Sequence, residues 1–205
     1  MPSIVSVNVG QPQPVRTDRR TVRTAIWKAP VAGRVAVRGV NVDGDDQADR
    51  SVHGGPDKAV YAYAIEETRA WEAELGRALG PAAFGENLTT EGIDVSGALI
   101  GERWRVGTTL LEVAQPRMPC YKLGVRLDDP RFPRKFLAAR RPGAYFRVVE
   151  EGDVGANDVI ELVSRPSHGV TMRRMVAAFW DPDEAAALRQ VARLPEFWRR
   201  VAAGR

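Results

Sequence analysis

The chain has 205 residues, 44% hydrophobic and 27% charged, with 30 basic residues against 26 acidic ones. That length suits one domain with an appendage and buries roughly 70% of the surface the unfolded chain exposes, so no disulfide or metal staple is needed. One cysteine and two histidines exclude an internal disulfide and leave too few ligands for a structural zinc centre, and no apolar run approaches the ~20 residues of a membrane span.

The first ten residues, MPSIVSVNVG, lack a basic n-region and carry Asn8 inside the apolar stretch. They do not read as a signal peptide, and a cytoplasmic protein is expected. Residues 4–9 alternate apolar and polar side chains, as a half-buried strand does. Strands are expected at 22–27 and 35–42, rich in β-branched residues and bounded by glycine or proline. Ile65, Trp71, Leu75 and Leu79 predict a helix over 63–79, ended by Gly80-Pro81. Segments 103–107 and 110–114 read as a hairpin, a short helix is expected around 132–141, and strands at 144–149 and 159–163 close the series. Many short strands without regular βαβ alternation predict a mainly β fold with helices (α+β), of barrel or sandwich type.

After Arg165-Pro166 the texture changes. Helices are expected at 171–180, at 184–193 behind an Asp181-Pro182-Asp183 cap, and from Pro195 to about Val201. The chain thus divides into 1–165, the barrel, and 166–205, a three-helix module too small to stand alone. Eight arginines from Ser164 onward face four acidic residues, so the whole excess of +4 lies in this tail and residues 1–163 are neutral. A solubilising face is the preferred reading of that charge over a nucleic-acid-binding surface.

Three segments do not look like scaffold. Residues 44–58, GDDQADRSVHGGPDK, form a polar loop longer than the roughly 12–15 residues that compact domains usually tolerate without a function. Gly54 and Gly55 allow close backbone approach to an anion, and Lys58 adds a compact positive charge, although the Walker spacing is absent. Residues 84–88, FGENL, place Glu86 and Asn87 among apolar neighbours, where Asn87 reads first as a tie for backbone groups. Residues 115–122, QPRMPCYK, set the sole cysteine just after two prolines, Pro116 and Pro119, which fix a rigid turn, and between two cations, Arg117 and Lys122, which favour the thiolate.

Such a thiolate suits a nucleophile or a soft-metal ligand. A cysteine hydrolase would need a histidine base and an orienting partner, for which His53 and Asn87 are available in type. One thiolate cannot by itself hold zinc or an iron–sulfur cluster. It can hold a metal that brings its own ligands inside a cofactor, such as dithiolene-bound molybdenum, whose phosphate would need an anion site like 54–58.

In this order and spacing the segments resemble the MOSC domain (molybdenum cofactor sulfurase C-terminal), YiiM-like subgroup. The matching text is GDDQADRSVHGGPDKAVYAY at 44–63, FGENL at 84–88, IGERWRVG at 100–107, LEVAQPRMPCYKL at 111–123 and GAYFRVVEEG at 143–152. The resemblance covers roughly 5–165, and the C-terminal helices resemble the 3-alpha module of that subgroup. It implies a MOSC-type β-barrel that binds molybdenum cofactor, with Cys120 as thiolate ligand to the metal. By the same likeness Arg117 and Lys122 offset the anionic cofactor, and Gly54, Gly55 and Lys58 bind its phosphate or pterin edge. His53 and Asn87 border the metal face as proton donor or substrate contact, and Arg147 is a further phosphate candidate. Ala144 departs from the bulkier aromatic expected there.

Relatives of this kind reduce N-hydroxylated compounds, hydroxylaminopurine-type base analogues and amidoximes, to amines. The chain has no G-x-G-x-x-G motif and no cysteine cluster, so electrons are expected from a separate flavoprotein or iron–sulfur protein. The alternative is a non-catalytic carrier of the cofactor or of sulfur on Cys120. No residues argue for a pyridoxal phosphate site, and the oligomeric state stays open, a homodimer included.

Overall fold

The computed structural model describes residues 1–17, 20–49 and 54–204; the candidate His53 lies outside the described residues. Early strands are β1 (Ser3–Val9), β2 (Gln13–Arg16), β3 (Thr21–Thr24), β4 (Ala29–Pro30), β5 (Arg34–Arg38) and β6 (Asn41–Val42). Then come β7 (Val60–Ala64), α1 (Ile65–Leu75), β8 (Leu88–Glu91), β9 (Arg103–Val106), β10 (Thr109–Gln115), α2 (Tyr121–Arg126) and α3 (Phe132–Ala139). The chain ends with β11 (Ala144–Glu150), β12 (Gly152–Gly155), β13 (Ile160–Ser164), α4 (Met172–Ala177), α5 (Pro182–Ala187) and α6 (Glu196–Ala202).

The main sheet has eight strands in the order β13-β9-β10-β11-β7-β8-β1-β4; β12-β5-β6 and β2-β3 form smaller sheets. Its two ends meet: Ile160 N donates to Pro2 O at 2.9 Å, Ile4 N to Asp158 O at 2.9 Å and Asn157 N to Ile4 O at 2.8 Å. The sheet therefore curls into a half-barrel, and the expected α+β barrel architecture is what the chain adopts. Among the described residues no helix is long and apolar enough to cross a membrane.

Two cores flank the sheet, and β7 divides them. Val60, Ala62 and Ala64 point into the barrel core with Ile4, Leu111, Val113 and Phe146. Tyr61 and Tyr63 point the other way, into an aromatic cluster with Trp71, Phe84, Phe132 and Phe136. All five β7 residues are consequently buried, and its apolar run merges with the helix that follows. The expected helix from 63 accordingly begins later, at Ile65, because Tyr63 and Ala64 pair in β7 with Thr89 and Thr90 of β8. It also ends earlier, where Gly76 takes a left-handed φ of 66°. Strands β7 and β8 run parallel across α1, a single βαβ unit within an otherwise antiparallel sheet.

Other expectations shift locally. The strand expected at 35–42 is broken at Gly39 into the hairpin β5–β6, and the one at 22–27 stops at Thr24. The turn expected around Cys120 continues into the unforeseen helix α2, with Cys120 as its N-cap residue. Asp181 caps α5 as expected, accepting from the backbone N–H of Asp183 at 3.0 Å. The C-terminal helices share the barrel core: Met172, Met175, Leu188 and Trp198 belong to the same buried cluster as Ile4 and Leu111.

Candidate functional site

One cleft of about 600 Å3, open solvent included, brings Lys58, Asn87, Arg117, Cys120 and Lys122 together. Its walls come from the 84–87 loop, the segment joining β10 to α2, the chain after β3 and the start of the 44–58 loop. Strand β10 delivers the chain to Pro116, and the prolines prevent it from continuing as strand, so Cys120 lies half-buried at the cleft.

Arg117 ties two of these walls. It is 7% exposed, donates through Nη1 to the Phe84 carbonyl, and sets its guanidinium 5.1 Å from the centre of the Tyr61 ring. Burial opposes its charge, but the surrounding Tyr61, Tyr145, Cys120 and Glu86 side chains outweigh that and raise its pKa. The Phe84 carbonyl is presented by a tight turn. Gly85 has φ of 73°, and an added Cβ would lie 2.8 Å from Ile26 Cγ1. Glu86, fully buried, accepts from Ala82 N at 2.7 Å, Phe84 N at 3.1 Å and Thr89 Oγ1 at 2.9 Å. Burial raises its pKa and those hydrogen bonds oppose the rise.

Asn87 is committed on both sides of its amide. Its Oδ1 accepts from Tyr61 N at 3.1 Å, and its Nδ2 donates to Asp45 Oδ2 at 2.9 Å. Asp45 also accepts from Gly10 N at 2.8 Å and forms an ion pair with Lys28. Burial lowers the pKa of Lys28, with Asp45 opposing, and burial likewise lowers that of Lys58, with Asp57 opposing. Tyr145 lies 4.9 Å from Tyr61, ring centre to centre, and burial raises its pKa while Arg117 opposes, so its hydroxyl stays protonated at neutral pH.

Gly54 and Gly55 do not line the cleft; they lead into it. Gly55, at φ 97°, precedes a 3-10 turn, Pro56–Lys58, that carries Lys58 to the wall. Arg147 is the correction. It is 4% exposed and its guanidinium is taken up by Asp57 at 2.5 Å and Glu112 at 3.0 Å, so it is an internal ion-pair residue away from the cleft. Sequence reasoning missed Lys28, Asp45, Tyr61 and Tyr145 as cleft residues. Asp45 and Tyr145 lay inside segments already singled out, whereas nothing around Lys28 distinguishes it from any other surface lysine.

A curled α+β half-barrel with one cysteine and four cations on a shared cleft places the chain in a narrow class. It belongs to the MOSC domain family, whose model matches residues 49–161. Over 201 residues it is 37% identical to the uncharacterized protein YflK of Bacillus subtilis (strain 168), covering 96% of this chain and 91% of that one. It is 34% identical over 149 residues to a protein named "Reductase" from Gibberella moniliformis (strain M3125 / FGSC 7600), covering 71% of this chain and 26% of the relative. The crystal structure of YiiM from Geobacillus stearothermophilus matches with a TM-score of 0.80 at 32% identity, covering 100% of this chain and 98% of that one. The likeness to YiiM therefore runs through the C-terminal helices.

Proposed function

We propose that this protein binds molybdenum cofactor through Cys120 and reduces N-hydroxylated small molecules, base analogues or amidoximes, to amines. Electrons come from a separate flavoprotein or iron–sulfur protein. The observation that carries this is the placement of Cys120 in one cleft with Lys28, Lys58, Arg117 and Lys122. Among the described residues no three His, Cys, Asp or Glu side chains converge for a bare metal ion. One thiolate ringed by cations fits instead a metal that arrives chelated and anionic. Family membership supports the cofactor class, and the fungal relative's printed name supports reduction.

When bound, the cofactor supplies two-electron chemistry at one metal centre. The chain's own residues do the rest. Arg117 and Lys122 set positive charge on the wall that holds Cys120, and Lys58 offsets the negative charge of a phosphate-bearing ligand. Reduction of R–NHOH consumes two electrons and two protons, breaks the N–O bond, and releases R–NH2 and water. The protonated Tyr145 hydroxyl is a proton-bearing group at the wall that can serve the leaving oxygen. Asn87 holds the wall through Tyr61 N and Asp45, so it positions and does not shuttle protons.

Expression in a host that makes the cofactor, followed by elemental analysis, tests the binding step. Near-stoichiometric molybdenum is expected in the wild type and its loss in Cys120→Ala; metal that persists in Cys120→Ala overturns the ligand assignment. Reduction of a hydroxylaminopurine or an amidoxime with a chemical electron donor tests the activity. Bound cofactor without turnover favours the second reading, a carrier of the cofactor or of sulfur on Cys120.

A further inference from the structure

The turn Pro56–Lys58 buries none of its own side chains, so packing alone does not fix it. Two hydrogen bonds hold its middle residue. Gln115 Nε2 donates to the Asp57 carbonyl at 3.0 Å, and Arg147 Nε donates to the Asp57 carboxylate at 2.5 Å. Both side chains are gripped from behind by the C-terminal segment, Gln115 by α6 and Arg147 by the turn that precedes α6. Trp198 Nε1 donates to Gln115 Oε1 at 3.2 Å, and Arg147 Nη2 donates to the Arg193 carbonyl at 3.2 Å. Glu112 Oε1 accepts from Arg147 at 3.0 Å and from Arg193 at 3.4 Å, joining the two partners a second time. Gln115, Arg147 and Trp198 are 6%, 4% and 0% exposed, so a lost donor is not replaced by bulk water.

We propose that the C-terminal segment, helix α6 and the turn before it, positions Lys58 in the cleft through these two relays, Trp198–Gln115 and Arg193–Arg147, which meet at Asp57. Gln115, Arg147 and Trp198 do not line the cleft and act only through the turn, which makes them positioning residues. The inference rests on the reading of Lys58 as a ligand to the cofactor's anionic group. It gives the C-terminal helices a task beyond completing the core: they set the place of a cation facing Cys120.

Trp198→Phe keeps an aromatic ring in the core and removes the indole N–H. Amide exchange over residues 55–60, read on cofactor-free protein, is expected to accelerate about five- to tenfold while β1 is unchanged, the scale of one buried hydrogen bond. Gln115→Met, which removes both the acceptor of Trp198 Nε1 and the donor to Asp57, is expected to do likewise and serves if Trp198→Phe does not fold. In cofactor-loaded protein, retention of molybdenum on dialysis is expected to weaken in Trp198→Phe and in Lys58→Ala. The double variant is expected to be no weaker than Lys58→Ala, because both changes act at one group. Unchanged exchange over 55–60 overturns the proposal, as does a Trp198→Phe effect that adds in full to that of Lys58→Ala. Wild-type protein that takes up no molybdenum overturns the cofactor reading, and the exchange result then decides by itself whether the helices hold the turn.

Discussion

Two glycines with nearly the same backbone separate strain from crowding. Gly33 has φ of 78° and Gly85 has φ of 73°, so alanine at either enters the left-handed region. That costs roughly 1–2 kcal/mol for a residue with a Cβ. At Gly33 an added Cβ meets nothing within 4 Å. At Gly85 it lies 2.8 Å from Ile26 Cγ1 and 3.2 Å from the Ile26 carbonyl, so side chain and backbone must both shift. Overpacking of that kind adds about 1–3 kcal/mol. Gly33→Ala is therefore expected to cost about 1–2 kcal/mol and Gly85→Ala about 2–5 kcal/mol. Urea unfolding followed by tryptophan fluorescence measures both, with unchanged m-values confirming that the same surface is exposed. The Phe84 carbonyl that accepts from Arg117 directly precedes Gly85, so molybdenum uptake is expected to fall in Gly85→Ala and not in Gly33→Ala. Equal destabilisation by the two substitutions, within about 0.5 kcal/mol, would refute the crowding at Ile26.

Burial pushes the Glu67 carboxyl up to about 7 from an ordinary value of 4.5, with Ser96 and Arg173 opposing. The folded state holds that proton to higher pH than the unfolded chain, so the contribution of Glu67 to stability falls from about pH 4.5 to about pH 7 and stays low above it. Glu67→Gln does not titrate, and its stability relative to wild type is expected to rise across that window by a few kcal/mol at most, about 1.4 per pH unit. Urea midpoints at pH 5 and pH 8 check this, and a difference independent of pH removes Glu67 as its source. Truncation after Ser164 strips Met172, Met175, Leu188 and Trp198 from the shared core and is expected to abolish cooperative unfolding; a sigmoidal transition at the native midpoint would show the barrel complete without them.

Strand β9 was legible in the sequence because one of its faces meets solvent. In β9, Trp104 and Val106 are buried and Arg103 and Arg105 are not, and this period of two is visible in the letters. In β7 both faces are buried in different cores, so no polar residue reports the alternation and the strand reads as the start of its helix. The site divides in the same way. Cys120 announced itself as the sole cysteine, just after two prolines and between two cations, and Lys58 through the glycines before it. Lys28 reaches the cleft only because the chain after β3 folds against the 44–58 loop, where Asp45 meets it. Arg147 was misplaced because its partners, Asp57 and Glu112, lie on other strands and turns, and no local pattern reveals that a guanidinium is already occupied.

Charge is where the linear tally and the folded molecule differ most. The excess of +4 belongs to the tail by composition. Yet Arg165 meets Glu102 at 2.8 Å, Arg173 meets Asp94 at 2.6 Å, Arg174 meets Glu184 at 2.7 Å and Arg199 meets Glu196 at 2.6 Å. The arginine ends of these pairs are solvent-exposed, and the pairs shorten the reach of the tail's field. The neutral first part of the chain does the opposite. It gathers Lys28, Lys58, Arg117 and Lys122 around one cleft against the carboxylates of Asp45 and Asp46. Charges gathered on a concave wall of limited solvent access focus potential more than the same charges spread over a convex surface.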